Sequence, residues 1–458
     1  MSPIPAYRPP KVPAGPDKPS LLRYLRTVLD NPVAGIPAAA YREPIALRVL
    51  PVATMAFVTG PDLVEEILVG RAADFPKSRI DGRLFRPALG DGLLTAVGDD
   101  WRWKRRLIAP YFSPAALARS VPDMVAPFRV LAEDWRSHGP GAEIDVSPAM
   151  TSATFQVIGR TLFAGREEVD FAVLSAAIDA YLEPSPWIIG LVSLNVPAWV
   201  PHPGRGRMLR ARDRLRSMVG ALVAARRRSG GAADDICGDL MRARDPETGR
   251  TLSDRDMVDM LLTMITAGHE TSAQGLTWAL FCLAEQPELQ AELAAEVARV
   301  AGDRPVEAAD LARLATVEAF LRETLRLFPP APLLTRRTTR PETLAGRPLK
   351  PGTIVFIPIY AIHRHQRLWP DPDRFDHTRF LGDTAKRIPR TAYMPFGAGP
   401  RVCVGATFAM MEMVAALATL LQHVRFATVE RTRCEPIHRI TLRPKGGMVL
   451  KTTNAPTK

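Results

Sequence analysis

The sequence predicts a mainly α fold with small β-sheets, organised as one unit over residues 1–458. Three observations predict it. From Pro61 onward, apolar residues recur at helical spacing through most of the chain. One such pattern, Ser253 to Glu285, is long enough for roughly 50 Å of helix and would cross the whole molecule. Two β-rich segments, Ile45 to Val58 and Leu333 to Ile357, lie far apart in the chain and pair naturally in one sheet. A shared sheet argues against cutting the chain into domains, and no internal repeat or low-complexity linker marks a boundary.

In chain order, residues 1–20 are rich in proline and form an extended, surface-wrapping arm. Ile45 to Val58 is β-branched and apolar with a turn near Pro51, the pattern of a hairpin. Trp101 to Leu107, Ala115 to Trp135, Pro148 to Phe163 and Arg207 to Arg228 read as helices. The segment Glu183 to Gly206 is apolar but interrupted by prolines, so it is not one long helix. A mobile lid over a hydrophobic cavity and a core-packed connection both fit it. In the long pattern, Ser253 with Asp256 three residues on resembles a capping box. Further helices run from Pro287 to Val300 and from Leu314 to Phe328, and the chain from Pro329 to Ile357 reads as short strands and turns.

Composition allows a large core, since 47% of the 458 residues are hydrophobic. The net charge of +12 is spread along the chain, with short clusters such as Arg226-Arg227-Arg228. These clusters suit solvated helix ends, or a basic docking face for an acidic protein partner. No nucleic-acid-binding motif accompanies the charge. Four irregularly spaced cysteines form neither a CxxC pair nor a disulfide framework, which points to reduced thiols and a cytoplasmic setting. The proline-rich start has no apolar signal core, and no run of about 20 apolar residues predicts a membrane span.

The most informative stretch is FGAGPRVCVG, Phe396 to Gly405. Cys403 sits in a glycine-rich loop just before an apolar helical run, Ala406 to Val424, where a helix N-terminus can stabilise a thiolate. Glycine lets the backbone turn sharply and approach a flat ligand, and Arg401 can pair with an anionic group on it. Inside the long helix, Ala267-Gly268-His269-Glu270-Thr271-Ser272 interrupts an apolar pattern with polar groups. A Thr hydroxyl there can bond back one turn, Gly268 leaves room for a small ligand such as dioxygen, and Glu270 can pass protons inward. A kinked helix with satisfied polar residues is the plainer reading. Glu323 and Arg326 are three apart on one helix face, and Arg374 in WPDPDRF could join them in a buried structural network. Trp101 and Arg105 lie four apart in DDWRWKRR and make a carboxylate clamp, with Arg336 a further candidate.

The order of these parts, WxxxR, AGHETS, ETLR, PDRF and FGAGPRVCVG, resembles the cytochrome P450 family across essentially the whole chain. The resemblance implies the P450 fold, with a long central helix over a haem b. Cys403 would be the axial thiolate of the iron. Trp101, Arg105, Arg336 and Arg401 would hold the propionates, and Ala267, Gly268, Phe396 and Gly405 would lie against the cofactor. Glu270 and Thr271 would form the distal acid–alcohol pair, while Glu323, Arg326 and Arg374 would lock the proximal side. His269 is not expected to ligate iron. By the same analogy the substrate pocket draws on Leu89, Leu93, Leu94, Met264, Leu333, Leu334 and Ile440, which suits a terpenoid, a fatty acid or a similar apolar compound.

The activity implied is a monooxygenase that inserts one atom of O2, with electrons ultimately from NAD(P)H. Too few residues follow Cys403 for a fused reductase, so a ferredoxin or flavodoxin with its reductase would deliver them. Thiolate ligation favours O–O cleavage, and loop amides should hydrogen-bond the sulfur. A peroxygenase, an isomerase on the same scaffold and a non-catalytic haem ligand-binding protein are the competing readings. The Glu270–Thr271 pair speaks against them.

Overall fold

The computed structural model describes residues 7–164, 170–228, 235–430, 432 and 434–455. Helices dominate, and the longest, Asp254–Ala284, spans 31 residues. It begins where the Ser253–Asp256 capping box closes, with both reciprocal bonds made. Beyond its first turn nearly every residue is buried, because helices Val146–Phe163, Arg205–Arg228, Ala315–Leu327 and Ala406–His423 all pack on it. Trp278, fully buried in this helix, stacks on Phe328 at 4.0 Å and donates its indole N–H to the Leu442 carbonyl at 2.9 Å. That pins the helix to the C-terminal hairpin.

The two β-rich segments share a sheet, as their composition suggests. Strands Ile45–Leu50 and Ala53–Val58 form an antiparallel hairpin; Ala53–Val58 pairs parallel with Ile354–Ile357, which pairs antiparallel with Leu334–Arg337. A second, two-stranded hairpin joins Pro436–Arg439 to Thr441–Pro444. Both sheets deliver residues to the central cavity: Leu334 and Arg336 from one, Ile440 and Thr441 from the other.

The first six residues of the proline-rich arm lie outside the described residues. From Tyr7 the arm is extended and tied to the surface through an Arg8–Asp371 ion pair at 2.8 Å and the Val12 N–H on the Tyr360 hydroxyl at 2.9 Å. One expectation changes. The helix read over Ala115 to Trp135 is two helices, Pro114–Ala118 and Val121–Ser137. Pro122 explains the break, since proline disfavours helix at the preceding residue yet suits a first helical turn. The first part of the Glu183 to Gly206 segment follows the core-packed reading. Ser185–Ser193 is a core-packed helix with Ile188, Ile189 and Val192 buried, whereas the chain beyond it lies at the surface, with Trp199 76% exposed.

Candidate active site

One cavity of about 440 Å³ collects the motifs that are scattered through the sequence. Trp101, Arg105, Ala267, Gly268, Glu270, Thr271, Arg336, Phe396, Arg401, Cys403 and Gly405 all line it, as do the seven expected pocket residues. Leu89, Leu93 and Leu94 arrive on a turn clasped to the central helix: Asp259 accepts the Asp91 N–H at 2.8 Å and pairs with Arg216 at 2.8 Å. Met264, Leu333, Leu334 and Ile440 complete an apolar wall.

On one side, the chain folds into a tight loop around Cys403. The Cys403 N–H donates to the Phe396 carbonyl at 3.0 Å, and the Val402 N–H to that of Gly399 at 3.0 Å. Glycine is required at 399, where φ is +73° and a Cβ would sit 1.9 Å from the Leu68 carbonyl oxygen. Cys403 is accessible, but to the cavity, since the loop and its neighbours enclose it on the other sides. The helix Ala406–His423 starts three residues on, and the Gly405 N–H donates toward the sulfur. Even so, burial pushes the Cys403 thiol up, outweighing the Gly405 N–H and the Arg105 charge that pull it down. A haem iron on the cavity side would add a charge that favours the thiolate.

Opposite stands the polar cluster of the central helix. Thr271 donates back to the Ala267 carbonyl at 2.8 Å, as its position suggests. Glu270 is 7% exposed and accepts from the Thr441 hydroxyl at 2.5 Å; burial pushes its carboxyl up, with the Thr441 hydroxyl and Arg443 pulling back. Gly268 lines the cavity and also has a packing role. A Cβ there would meet Ile158 Cδ1 at 2.6 Å, so the missing side chain lets helix Val146–Phe163 approach. His269 turns away from Cys403: its Nδ1 bonds the Ile265 carbonyl at 2.8 Å, its ring packs on Phe155, and burial lowers its pKa to about 4.

At the rim, Arg105, Arg336 and Arg401 converge with no carboxylate at ion-pair distance among the described residues. Arg401 stacks on Trp101 at 4.0 Å and donates to the Ala96 carbonyl at 2.8 Å. Burial and the neighbouring Arg336, Arg105 and Arg102 lower the Arg401 pKa to about 10. Lys77, which sequence reasoning missed, joins them with its pKa lowered to about 8, mainly by burial, with Arg336 and Arg401 adding to it. Its FPKSR context carries no motif. Four crowded cations around one opening are what a pair of carboxylates would neutralise.

Behind the Cys403 loop lies the ion-pair core. Arg326 and Glu323 are wholly buried and pair at 2.7 and 2.8 Å. All five guanidinium N–H groups are used, the other three on the carbonyls of His363, Pro372 and Arg374. Arg374 thus joins the network through its backbone, with its side chain outside. The second cation near Glu323 is Arg379, at 3.6 Å, because the 3-10 turn His377–Phe380 turns that side chain inward. A groove of about 990 Å³ opens on this side; Phe396, Gly397, Ala398 and Val402 line both it and the central cavity.

A cysteine facing a cavity from a glycine loop, cations for two carboxylates at its rim and an acid–alcohol pair across from it define a haem-thiolate protein. The family model for cytochrome P450 matches residues 41–451, and the chain belongs to that family. Among its relatives, cyclooctatin synthase of Streptomyces melanosporofaciens is 35% identical over 83% of this chain and 83% of its own length. Pentalenene oxygenase of Streptomyces avermitilis is 31% identical, covering 86% of each. The crystal structure of the cytochrome P450DA heme domain superposes with a TM-score of 0.84 at 26% identity, covering 97% of this chain and 98% of that one. The protein is a haem-thiolate monooxygenase of hydrophobic compounds that receives electrons from redox partners. No helix of the described residues is long and apolar enough to cross a membrane.

Proposed function

We propose that the chain hydroxylates a terpenoid-like hydrocarbon skeleton, with Cys403 as the iron ligand and Glu270 and Thr271 as the proton-handling pair. The observation that carries this reading is the meeting of Cys403 and the Glu270–Thr271 pair in one cavity whose remaining wall is largely aliphatic. Two bacterial relatives, cyclooctat-9-en-7-ol 5-monooxygenase, 33% identical, and pentalenene oxygenase, 31% identical, bear names that place them on such skeletons. When bound, haem supplies dioxygen binding, O–O cleavage and attack on a C–H bond. The protein's share is control. The Cys403 loop directs the Gly405 N–H at the sulfur, and Phe396 screens it from the outer groove. Trp101, Arg105, Arg336, Arg401 and Lys77 bind the propionates. The leucines of the clasped turn hold substrate and exclude water, and Glu270 hands protons to the Thr271 hydroxyl.

Electrons arrive from a ferredoxin or flavodoxin at the outer groove, where Arg322 and Arg390 flank the thin Cys403 loop. The test is NAD(P)H-driven turnover of cyclic terpenes with a surrogate ferredoxin and reductase. A mono-oxygenated product is expected; electron consumption yielding only peroxide across such a panel overturns the reading.

Two variants probe the roles. Thr271→Ala keeps haem and substrate binding but lowers product formed per NAD(P)H roughly tenfold to a hundredfold, at or below the lower end of general-acid effects. Unchanged coupling contradicts the assignment. Arg401→Leu speeds haem loss about tenfold or more, the worth of one charge-assisted hydrogen bond. The same change removes a cation that crowds Arg336 and Arg105, so the apoprotein melts no lower. Equal haem retention, measured by transfer to apomyoglobin, rules Arg401 out as a propionate ligand.

A further inference from the structure

The turn that carries Leu89, Leu93 and Leu94 into the cavity is gripped from outside it by two charged residues. One guanidinium nitrogen of Arg216, on helix Arg205–Arg228, donates both to the Ala88 carbonyl at 2.9 Å and to Asp259 at 2.8 Å. The other Asp259 oxygen accepts the Asp91 N–H at 2.8 Å. Asp259 is 1% exposed on the central helix, and neither it nor Arg216 lines the cavity. Two glycines let the turn lie directly on that helix. A Cβ at Gly90 would stand 2.1 Å from an Asp259 carboxylate oxygen, and one at Gly92 would stand 2.1 Å from Thr263 Oγ1 and 2.4 Å from the Asp259 carbonyl oxygen. The Thr95 hydroxyl braces the turn internally, donating to the Gly90 carbonyl at 2.7 Å, and Lys104 donates to the Asp91 carbonyl at 2.7 Å. A wall gripped at so many backbone points holds its place. Because Asp259 sits on the same helix as Glu270 and Thr271, the grip fixes the leucines relative to that pair.

We infer that Arg216 and Asp259 are specificity-determining positioning residues: they set the place of the leucine wall and so select which carbon of an apolar substrate faces the reactive centre. This rests on the monooxygenase reading and deepens it. Neither residue touches substrate; both act through the backbone of residues 88–91. An aliphatic wall offers no hydrogen bond, so it discriminates by shape. Shape selects best among rigid cyclic skeletons, whose carbons do not move independently of one another. A shift of the wall by about 1 Å is enough to matter, since a misplacement of that size can cost on the order of a hundredfold in rate.

The experiment compares wild type with Arg216→Leu, with Arg216→Leu combined with Asp259→Asn, and with Gly92→Ala. The double variant leaves no buried carboxylate unpaired, so it keeps the proposal testable if Arg216→Leu does not fold. Gly92→Ala leaves the ion pair in place and drives the turn off the helix by steric contact alone. Arg214→Leu, exposed on the same helix, is the control. On cyclic terpenes the ratio of regioisomeric products is expected to change about threefold to tenfold in all three clasp variants, a fraction of what a full misplacement can cost, and to keep its wild-type value in Arg214→Leu. A residue that only stabilised the fold would lower the yield of folded protein and leave that ratio alone. Azole binding, read from the Soret shift of the haem-loaded protein, needs no turnover. The affinity for 1-tritylimidazole relative to imidazole is expected to rise about tenfold in the clasp variants, the low end of what one methylene is worth in an apolar pocket. A product ratio and an azole preference equal to wild type in the folded variants overturn the proposal. A wild type that makes no product from any terpene overturns the monooxygenase reading instead, and the azole preference then decides the role of Arg216 and Asp259 by itself.

Discussion

Cys403→Ser protein is expected to bind haem through its cationic rim yet form no product at all. The rim does not depend on the sulfur: Arg401 is fixed by Trp101 and the Ala96 carbonyl, and Arg336 by its strand. The serine hydroxyl, however, does not ionise near neutral pH as a thiol facing a metal does, so the electron push that favours O–O cleavage is gone. Turnover falls below detection while haem content, measured by pyridine haemochrome, stays within about an order of magnitude of wild type if the rim supplies most of the retention. Residual hydroxylation at the wild-type rate would show that Cys403 is not the ligand.

The second large effect lies behind the loop. Glu323→Ala leaves Arg326 wholly buried with two of its five donors unmatched and removes the acceptor for the Asp376 N–H at 2.7 Å. Breaking one partner out of such a pair costs about 3–5 kcal/mol, a large share of the roughly 5–15 kcal/mol that holds a domain folded. The expected result is a protein that unfolds at much lower denaturant and loses haem with its fold, as circular dichroism and the Soret band report in parallel. Glu323→Gln retains shape but not charge and should fall between. Arg374→Ala, by contrast, stays near wild type, because that residue contributes only its carbonyl. Equal damage from Arg374→Ala and Glu323→Ala would contradict the network described above.

The contrast between Arg374 and Arg379 shows where a sequence stops being readable. Glu323 and Arg326 were legible because helical spacing fixes their common face. Which arginine reaches them from 50 residues away depends on the 3-10 turn at 377–380, and no local pattern announces it. The haem loop was legible for the opposite reason: glycines, cysteine and arginine are adjacent in the chain, and positive φ at Gly397 and Gly399 demands glycine. At Gly268 the structure adds a packing reason that no local pattern shows, since only the fold brings Ile158 against it. Thr441 and Lys77 went unread. Each is an ordinary residue within an ordinary pattern, and each acquires its role by contact with an element far off in sequence.

The central claim is that Cys403 binds haem iron as a thiolate. The carbon monoxide difference spectrum of the reduced, haem-loaded protein tests it most directly. The account predicts a Soret band with the strong red shift of thiolate ligation in the wild type, absent from Cys403→Ser. A wild-type band at the unshifted position of a neutral axial ligand, or a shifted band that persists in Cys403→Ser, would contradict it.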